Sequence, residues 1–188
     1  PVALGNSWTY RMTLPEPAGI ITEIETMTKV TPEGDGVRVE MTREFHYENG
    51  SRMDFTDVVE YIFHSDGSLT VPFQSSPDAS SAQVTVTSGE MVWPTTAEFE
   101  AATPKTGELN VSVIAAGQSL EQLVKFSVVG GETEDVTVPA GSFSARQLSQ
   151  QLLITIDSLG MADLEVNSVT WLAEGVGPVR SESSDLLG

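Results

Sequence analysis

The sequence predicts an all-β fold: a curved, mostly antiparallel sheet of the open-barrel, clam or sandwich-like kind, with at most one or two short helices. Three observations predict it. Apolar and polar residues alternate with period two over long runs, as strands with one buried and one wet face require. Turn signals break those runs at short intervals. Only one short segment carries the signals of a helix.

In chain order, Trp8, Tyr10, Met12 and Leu14 are large and apolar, with Thr9, Arg11 and Thr13 between them. From Ile20 to Val30 the even positions read Ile, Thr, Ile, Thr, Thr, Val, which places Glu23 and Glu25 opposite, on the wet face. Val37, Val39, Met41, Phe45 and Tyr47 then share one face, and Arg38, Glu40, Thr42, Glu44 and His46 the other. Turns are expected at Pro32–Gly36, Glu48–Ser51, Asp66–Ser68, Gly130–Gly131 and Pro139–Gly141. The hairpin at Asn49-Gly50-Ser51 can be registered. A three-residue loop sets Phe45 against Phe55, Arg43 against Asp57, Met41 against Val59, Val39 against Tyr61 and His46 against Asp54. A two-residue loop would set Val39 against Glu60 and Glu44 against Phe55. Because a one-residue slip turns every side chain over, the first register is expected.

Residues 75–81 read as a polar loop. Thr95-Thr96-Ala97-Glu98 resembles a capping box opening a short helix that Thr103-Pro104 would end. Further strands are expected at 84–87, 109–115, 122–129, 135–138, 144–157, 164–172 and 177–183. An internal echo joins Val59-Glu60-Tyr61, Gly67 and Leu69 to Val169-Thr170-Trp171, Gly177 and Val179 at an offset of 110 residues. The reading is one β domain over 1–188, with two related half-sheets at about 1–94 and 95–188 as an option within it.

Charge and composition exclude whole classes of function. The 188 residues carry 27 acids against 9 bases, a net charge of −18. Nucleic-acid binders need a basic footprint, and an anionic membrane surface would repel this chain. Without cysteine there is no thiol catalysis, Fe–S cluster or disulfide scaffold. No run of 18 apolar residues exists to cross a membrane as a helix. The chain begins at Pro1 rather than methionine and shows no signal peptide, which reads as a processed or trimmed product. The scarcity of lysine, three against six arginines, fits either adaptation to high salt or resistance to aggregation outside the cell.

No catalytic residue is expected. Gly141-Ser142-Phe143-Ser144 is not a G-x-S-x-G elbow. His46 with Asp54 could be a base and its orienter, but a solvated cross-strand pair beside a turn accounts for it better. No metal or cofactor is expected either. His46 and His64 share no zinc motif, and neither Pro32–Gly36 nor Glu132–Asp135 follows a calcium-loop pattern. Glycoside chemistry needs two acids at fixed separation in an aromatic cleft, and nothing singles out a pair among 27. Gly175-Val176-Gly177-Pro178 opens no helix and so cradles no phosphate. What remains is an inward face bearing Trp8, Tyr10, Met12, Met41, Phe45, Tyr61, Phe63 and Trp171. It reads as ordinary core, or as the concave side of a curved sheet that holds an apolar ligand.

Four motifs carry a family resemblance. Val136-Thr137-Val138-Pro139-Ala140-Gly141-Ser142-Phe143-Ser144-Ala145 is similar to a V-P-A-G-T-F-x-A turn. Thr170–Val179 is similar to a T-x-W-Y-A-P-G-V-G-x-V ending, and Leu4–Tyr10 to a G-x-x-W-x-Y start, with Asp66–Leu69 matching a middle hairpin. The pattern resembles the TapB-like group of exported bacterial lipoproteins, a domain of unknown function. The resemblance implies a single, mostly antiparallel β domain, exported and often tethered through a lipidated N-terminal cysteine. This sequence has no such cysteine, and has Leu172 and Glu174 where the group commonly shows tyrosine and proline.

Together these readings lead to an expectation: a non-enzymatic cell-envelope or extracellular β domain binding an apolar small molecule, a lipid or a partner protein. Its candidate ligand face carries Trp8, Tyr10, Met41, Phe45, Tyr61 and Trp171. A structural, adhesive or self-assembling module is the alternative, with an acid-dependent hydrolase ranked below it.

Overall fold

A computed structural model describes residues 3–13, 19–48, 54–71, 82–115, 118–155 and 163–184. The fold is all-β, built of antiparallel sheets, one of them curled into a half-barrel, with one five-residue helix among the described residues. Residue contacts divide the chain into two compact units, Pro1–Ser65 and Asp66–Gly188.

The first unit is a four-stranded meander of β1 (Ser7–Thr13), β2 (Ile20–Glu33), β3 (Gly36–Tyr47) and β4 (Phe55–Phe63). Its β3–β4 register is the expected one: Phe45 faces Phe55, Arg43 Asp57, Met41 Val59 and Val39 Tyr61. Asn49-Gly50-Ser51, expected as its loop, lies outside the described residues, as do Leu14 and residues 75–81.

Strand β2 departs from expectation. Its buried residues are Ile21 and Met27, at odd positions, so the inner face runs Ile21, Glu23, Glu25, Met27. The partner strand decides this: Met12 pairs with Ile21, Tyr10 with Glu23 and Trp8 with Glu25. Partners across a ladder share a face, so the two glutamates sit among the aromatics rather than on the wet side. A β-bulge at Thr28 then reverses the parity, and beyond it Val30 faces Val39 and Pro32 faces Val37. A single alternation over 20–30 therefore fails before the bulge, where the odd positions face inward, and holds beyond it at Val30.

The second unit contains β5 (Leu69–Val71), β6 (Ala82–Ser88), β7 (Met91–Trp93), α1 (Thr96–Glu100), β8 (Lys105–Ala115), β9 (Gln118–Val138), β10 (Gly141–Thr155), β11 (Leu164–Ala173) and β12 (Gly177–Ser183). β5 pairs with β7, and a larger sheet runs β12-β11-β10-β9-β8-β6. Helix α1 opens with the expected capping box, Thr95 Oγ1 accepting from Glu98 N and Glu98 Oε2 from Thr95 N. Gly130-Gly131, expected as a turn, lies inside the 21-residue strand β9. These glycines serve packing: a Cβ on Gly130 would stand 2.3 Å from the Phe99 carbonyl oxygen of α1. Arg146 also holds the helix, donating to Glu100 O and Gly131 O with its guanidinium carbon 4.8 Å from the Phe99 ring centre.

A bulge between Arg146 and Leu148 in the β9–β10 ladder changes which face of this sheet is buried. On one side of it Leu109, Val111, Val124, Phe126, Val128 and Leu148 form the main core. On the other, Val136, Ala145, Trp171 and Ala173 pack together on the opposite face.

Candidate functional site

Register alone builds the candidate site in the first unit. Across β1 to β4 the inner face forms consecutive rows: Met12, Ile21, Tyr47; Tyr10, Glu23, Phe45, Phe55; Trp8, Glu25, Arg43, Asp57; then Met27, Met41, Val59. Apolar rows thus flank a polar belt two rows deep. Phe45 and Phe55 stack with centroids 4.4 Å apart, and Tyr47 tilts onto Phe55 at 6.2 Å. Below the belt, Val39 and Val59 are fully buried, with Met27 and Met41 against them.

Arg43 and Asp57 form the ordered half of the belt. Nε donates to Oδ1 at 2.9 Å and Nη2 to Oδ2 at 2.5 Å, with both side chains only about a fifth exposed (19% and 18%). The guanidinium lies 5.5 Å from the Phe45 ring centre. Burial works against the Arg43 charge, but the Asp57 hydrogen bonds and charge outweigh it and raise its pKa. The fork of Arg43 is therefore engaged.

Glu23 and Glu25 are the other half. Among the described residues neither accepts a hydrogen bond or closes an ion pair, and both are half-buried. Burial, and then the charge of Glu25, push Glu23 up to about 7, against a smaller opposing pull from Arg43. Burial likewise raises Glu25, with Arg43 offsetting part of it. Burial and Glu25 push the Tyr61 hydroxyl up to about 12, and burial with Glu25 and Glu23 raises Tyr10 further.

Five of the six residues expected on the ligand face, Trp8, Tyr10, Met41, Phe45 and Tyr61, are brought onto this one surface. Trp171 is not with them. It is buried in the second unit with Val136, Ala145 and Ala173, donates its indole N–H to Glu134, and carries Arg180 at 4.8 Å from its ring centre. Sequence reasoning missed Glu23 and Glu25. Their signal was the stripe Ile21, Glu23, Glu25, Met27, in which two acids replace the middle of an apolar series.

The other candidates are surface features. His46 Nδ1 and Asp54 Oδ2 lie 2.8 Å apart, both well exposed, and Asp54 also accepts from Tyr47 N at 3.2 Å. In the 32–36 hairpin Glu33 takes the Arg38 guanidinium, while Asp35 accepts from Ser65 and faces His64. Among the described residues no three His, Asp or Glu side chains gather to hold a metal ion. The motif glycines are structural: Gly67, at φ +83°, would drive a Cβ to 2.0 Å from Thr96 Oγ1 at the start of α1.

The model of the DUF3108-like family matches residues 19–188. The chain belongs to this family. No curated protein matches it. Two solved structures are similar in fold. A candidate lipoprotein from Parabacteroides distasonis gives a TM-score of 0.65 at 16% identity, over 98% of this chain and 90% of its own. A candidate exported protein with a YmcC-like fold from Bacteroides fragilis gives 0.53 at 15% identity, over 88% of this chain and 81% of its own. At such identities the likeness is one of fold. Among the described residues no helix is long and apolar enough to cross a membrane.

Proposed function

We propose that this DUF3108-like chain is an exported, non-enzymatic domain of the cell envelope or extracellular space that binds an apolar ligand along the inner face of β1–β4. Trp8, Tyr10, Met41, Phe45 and Tyr61 are its lining. The lipoprotein and exported-protein descriptions of the two structural relatives support the location, as does the resemblance to the TapB-like group. One observation carries the binding reading: apolar rows, each crossing three strands, lie on both sides of a polar belt. Such a mix of apolar lining and a few converging polar groups is what orients small-molecule ligands.

The test is organic extraction of the exported full-length protein followed by mass spectrometry, with titration of an environment-sensitive apolar dye alongside. A stoichiometric apolar molecule, or a dye site lost on Trp8→Ala and Phe45→Ala, is expected. An empty extract together with no saturable dye site removes the proposal.

A further inference from the structure

Strand β1 is the edge of its sheet, paired with β2 on one side only among the described residues. At the entrance to that ladder Met27 N donates to Asn6 O, so by alternation Trp8, Tyr10 and Met12 exchange backbone hydrogen bonds with β2. Ser7, Thr9, Arg11 and Thr13 therefore direct their N–H and C=O groups away from the sheet. Among the described residues no backbone group meets them.

The other outer strands carry devices that discourage edge pairing. β7 is three residues long, and the β6 ladder is bulged between Val86 and Ser88. β12 contains Pro178, a bulge in its ladder, and the charges of Arg180 and Glu182. β1 has none of these: seven residues in regular register, without proline or lysine. Its exposed row and the residues opposite, Thr26, Ile24, Thr22 and Ile20, hold no carboxylate, in a chain with 27 of them. The one charge on the strand, Arg11, is taken by both carboxylate oxygens of Glu48.

From this edge we infer that β1 pairs antiparallel with β1 of a second copy of the chain, about a two-fold axis at Tyr10. That register uses all four outward residues. Ser7 lies opposite Thr13 of the second copy and Thr9 opposite its Arg11, each twice by symmetry, for about eight backbone hydrogen bonds. On the inner face Trp8 meets Met12 of the second copy, a sulfur–aromatic contact, and Tyr10 meets its counterpart. Moving the axis to Thr9 leaves Thr13 unpaired, and moving it to Arg11 sets two guanidiniums against each other. The net charge of −18 works against association, but the edge keeps it at a distance. The Glu23 residues of the two copies stand three strand spacings apart, about 14 Å, against a screening length of about 8 Å at physiological salt.

The experiment is sedimentation velocity of the intact chain from about 1 to 300 μM in about 0.15 M salt. A monomer–dimer equilibrium is expected across that range. Thr9→Pro removes an outward N–H and no bond to β2, so the far-ultraviolet spectrum is kept while the dimer dissociation constant rises about tenfold or more. Ser181→Pro makes the same change on β12, where the bond from Ser184 N to Asn167 O places residue 181 outward, and leaves the dimer unchanged. The chain has no cysteine, so single cysteines read the register directly. Tyr10→Cys, with its Cα about 4.5 Å from that of its counterpart, closes a disulfide on mild oxidation, and Thr9→Cys does not. A monomer at every concentration, a dimer that survives Thr9→Pro or is lost in Ser181→Pro, or crosslinking through Thr9→Cys in place of Tyr10→Cys overturns the inference.

Discussion

Replacing Glu23 by glutamine should stabilise the protein, and only at neutral to alkaline pH. The carboxyl titrates near 7 in the folded chain against an ordinary 4.5, because burial and the neighbouring Glu25 disfavour its charge. Below pH 4.5 it is protonated whether the chain is folded or not, and the substitution changes little. Between 4.5 and 7 the folded state binds more protons than the unfolded state, so stability falls as pH rises. Above 7 the full cost is present, and glutamine escapes it. The interval corresponds to at most about 3 kcal/mol. Since the side chain is only half-buried, solvent screening brings this to about 1–2 kcal/mol. For a chain of this size that is a rise in Tm of about 2–8 °C at pH 8. Thermal unfolding of Glu23→Gln and the parent at pH 4.5, 6 and 8 measures it. An equal gain at all three pH values would mean that packing, not ionisation, is responsible, and no gain at pH 8 would mean that Glu23 is well solvated.

Three other perturbations separate the roles assigned above. Arg43→Met strands a half-buried Asp57 and should cost about 3 kcal/mol in chemical denaturation, whereas Arg43→Met with Asp57→Leu should recover most of it; additive losses would refute the pairing. Gly130→Ala drives a Cβ against the Phe99 carbonyl and should cost about 1–3 kcal/mol, with the near-ultraviolet signal of the second unit altered. His46→Ala removes an exposed pair and should shift stability by no more than about 0.5 kcal/mol; a larger loss would make the His46–Asp54 contact more than a solvated one.

How much could be read from the sequence depended on whether a local rule had one solution. The β3–β4 hairpin did: with Asn49-Gly50-Ser51 as the loop, a single register kept Met41, Phe45, Val59 and Tyr61 on one side, and the structure has that register. Strand β2 had two. Ile20 and Ile24 stood on one face and Ile21 and Met27 on the other, and only the pairing with Trp8, Tyr10 and Met12 breaks the tie. That pairing is non-local, and the Thr28 bulge inside the strand leaves no mark in residue alternation. Gly130-Gly131 misled for a different reason. A glycine that makes room for a neighbouring backbone looks, in one dimension, like one that turns the chain. Trp171 was correctly read as inward-facing, but alternation cannot say which of several interiors a side chain enters.

The bulge at Thr28 also separates two properties that are usually tied together in a strand, length and curvature. Removing one residue from a regular strand inverts everything downstream of the cut. Thr28 is the exception in β2, since the pairs on either side, Met27 with Met41 and Lys29 with Glu40, already close the ladder around it. The chain could lose this residue and keep every partner. What it would lose is the extra local twist that a bulge imposes, one row away from Glu25, Arg43 and Asp57. Residue 28 is thus a place where a shorter relative could keep the same sheet and the same facing side chains, yet present them on a flatter and wider surface to a different occupant.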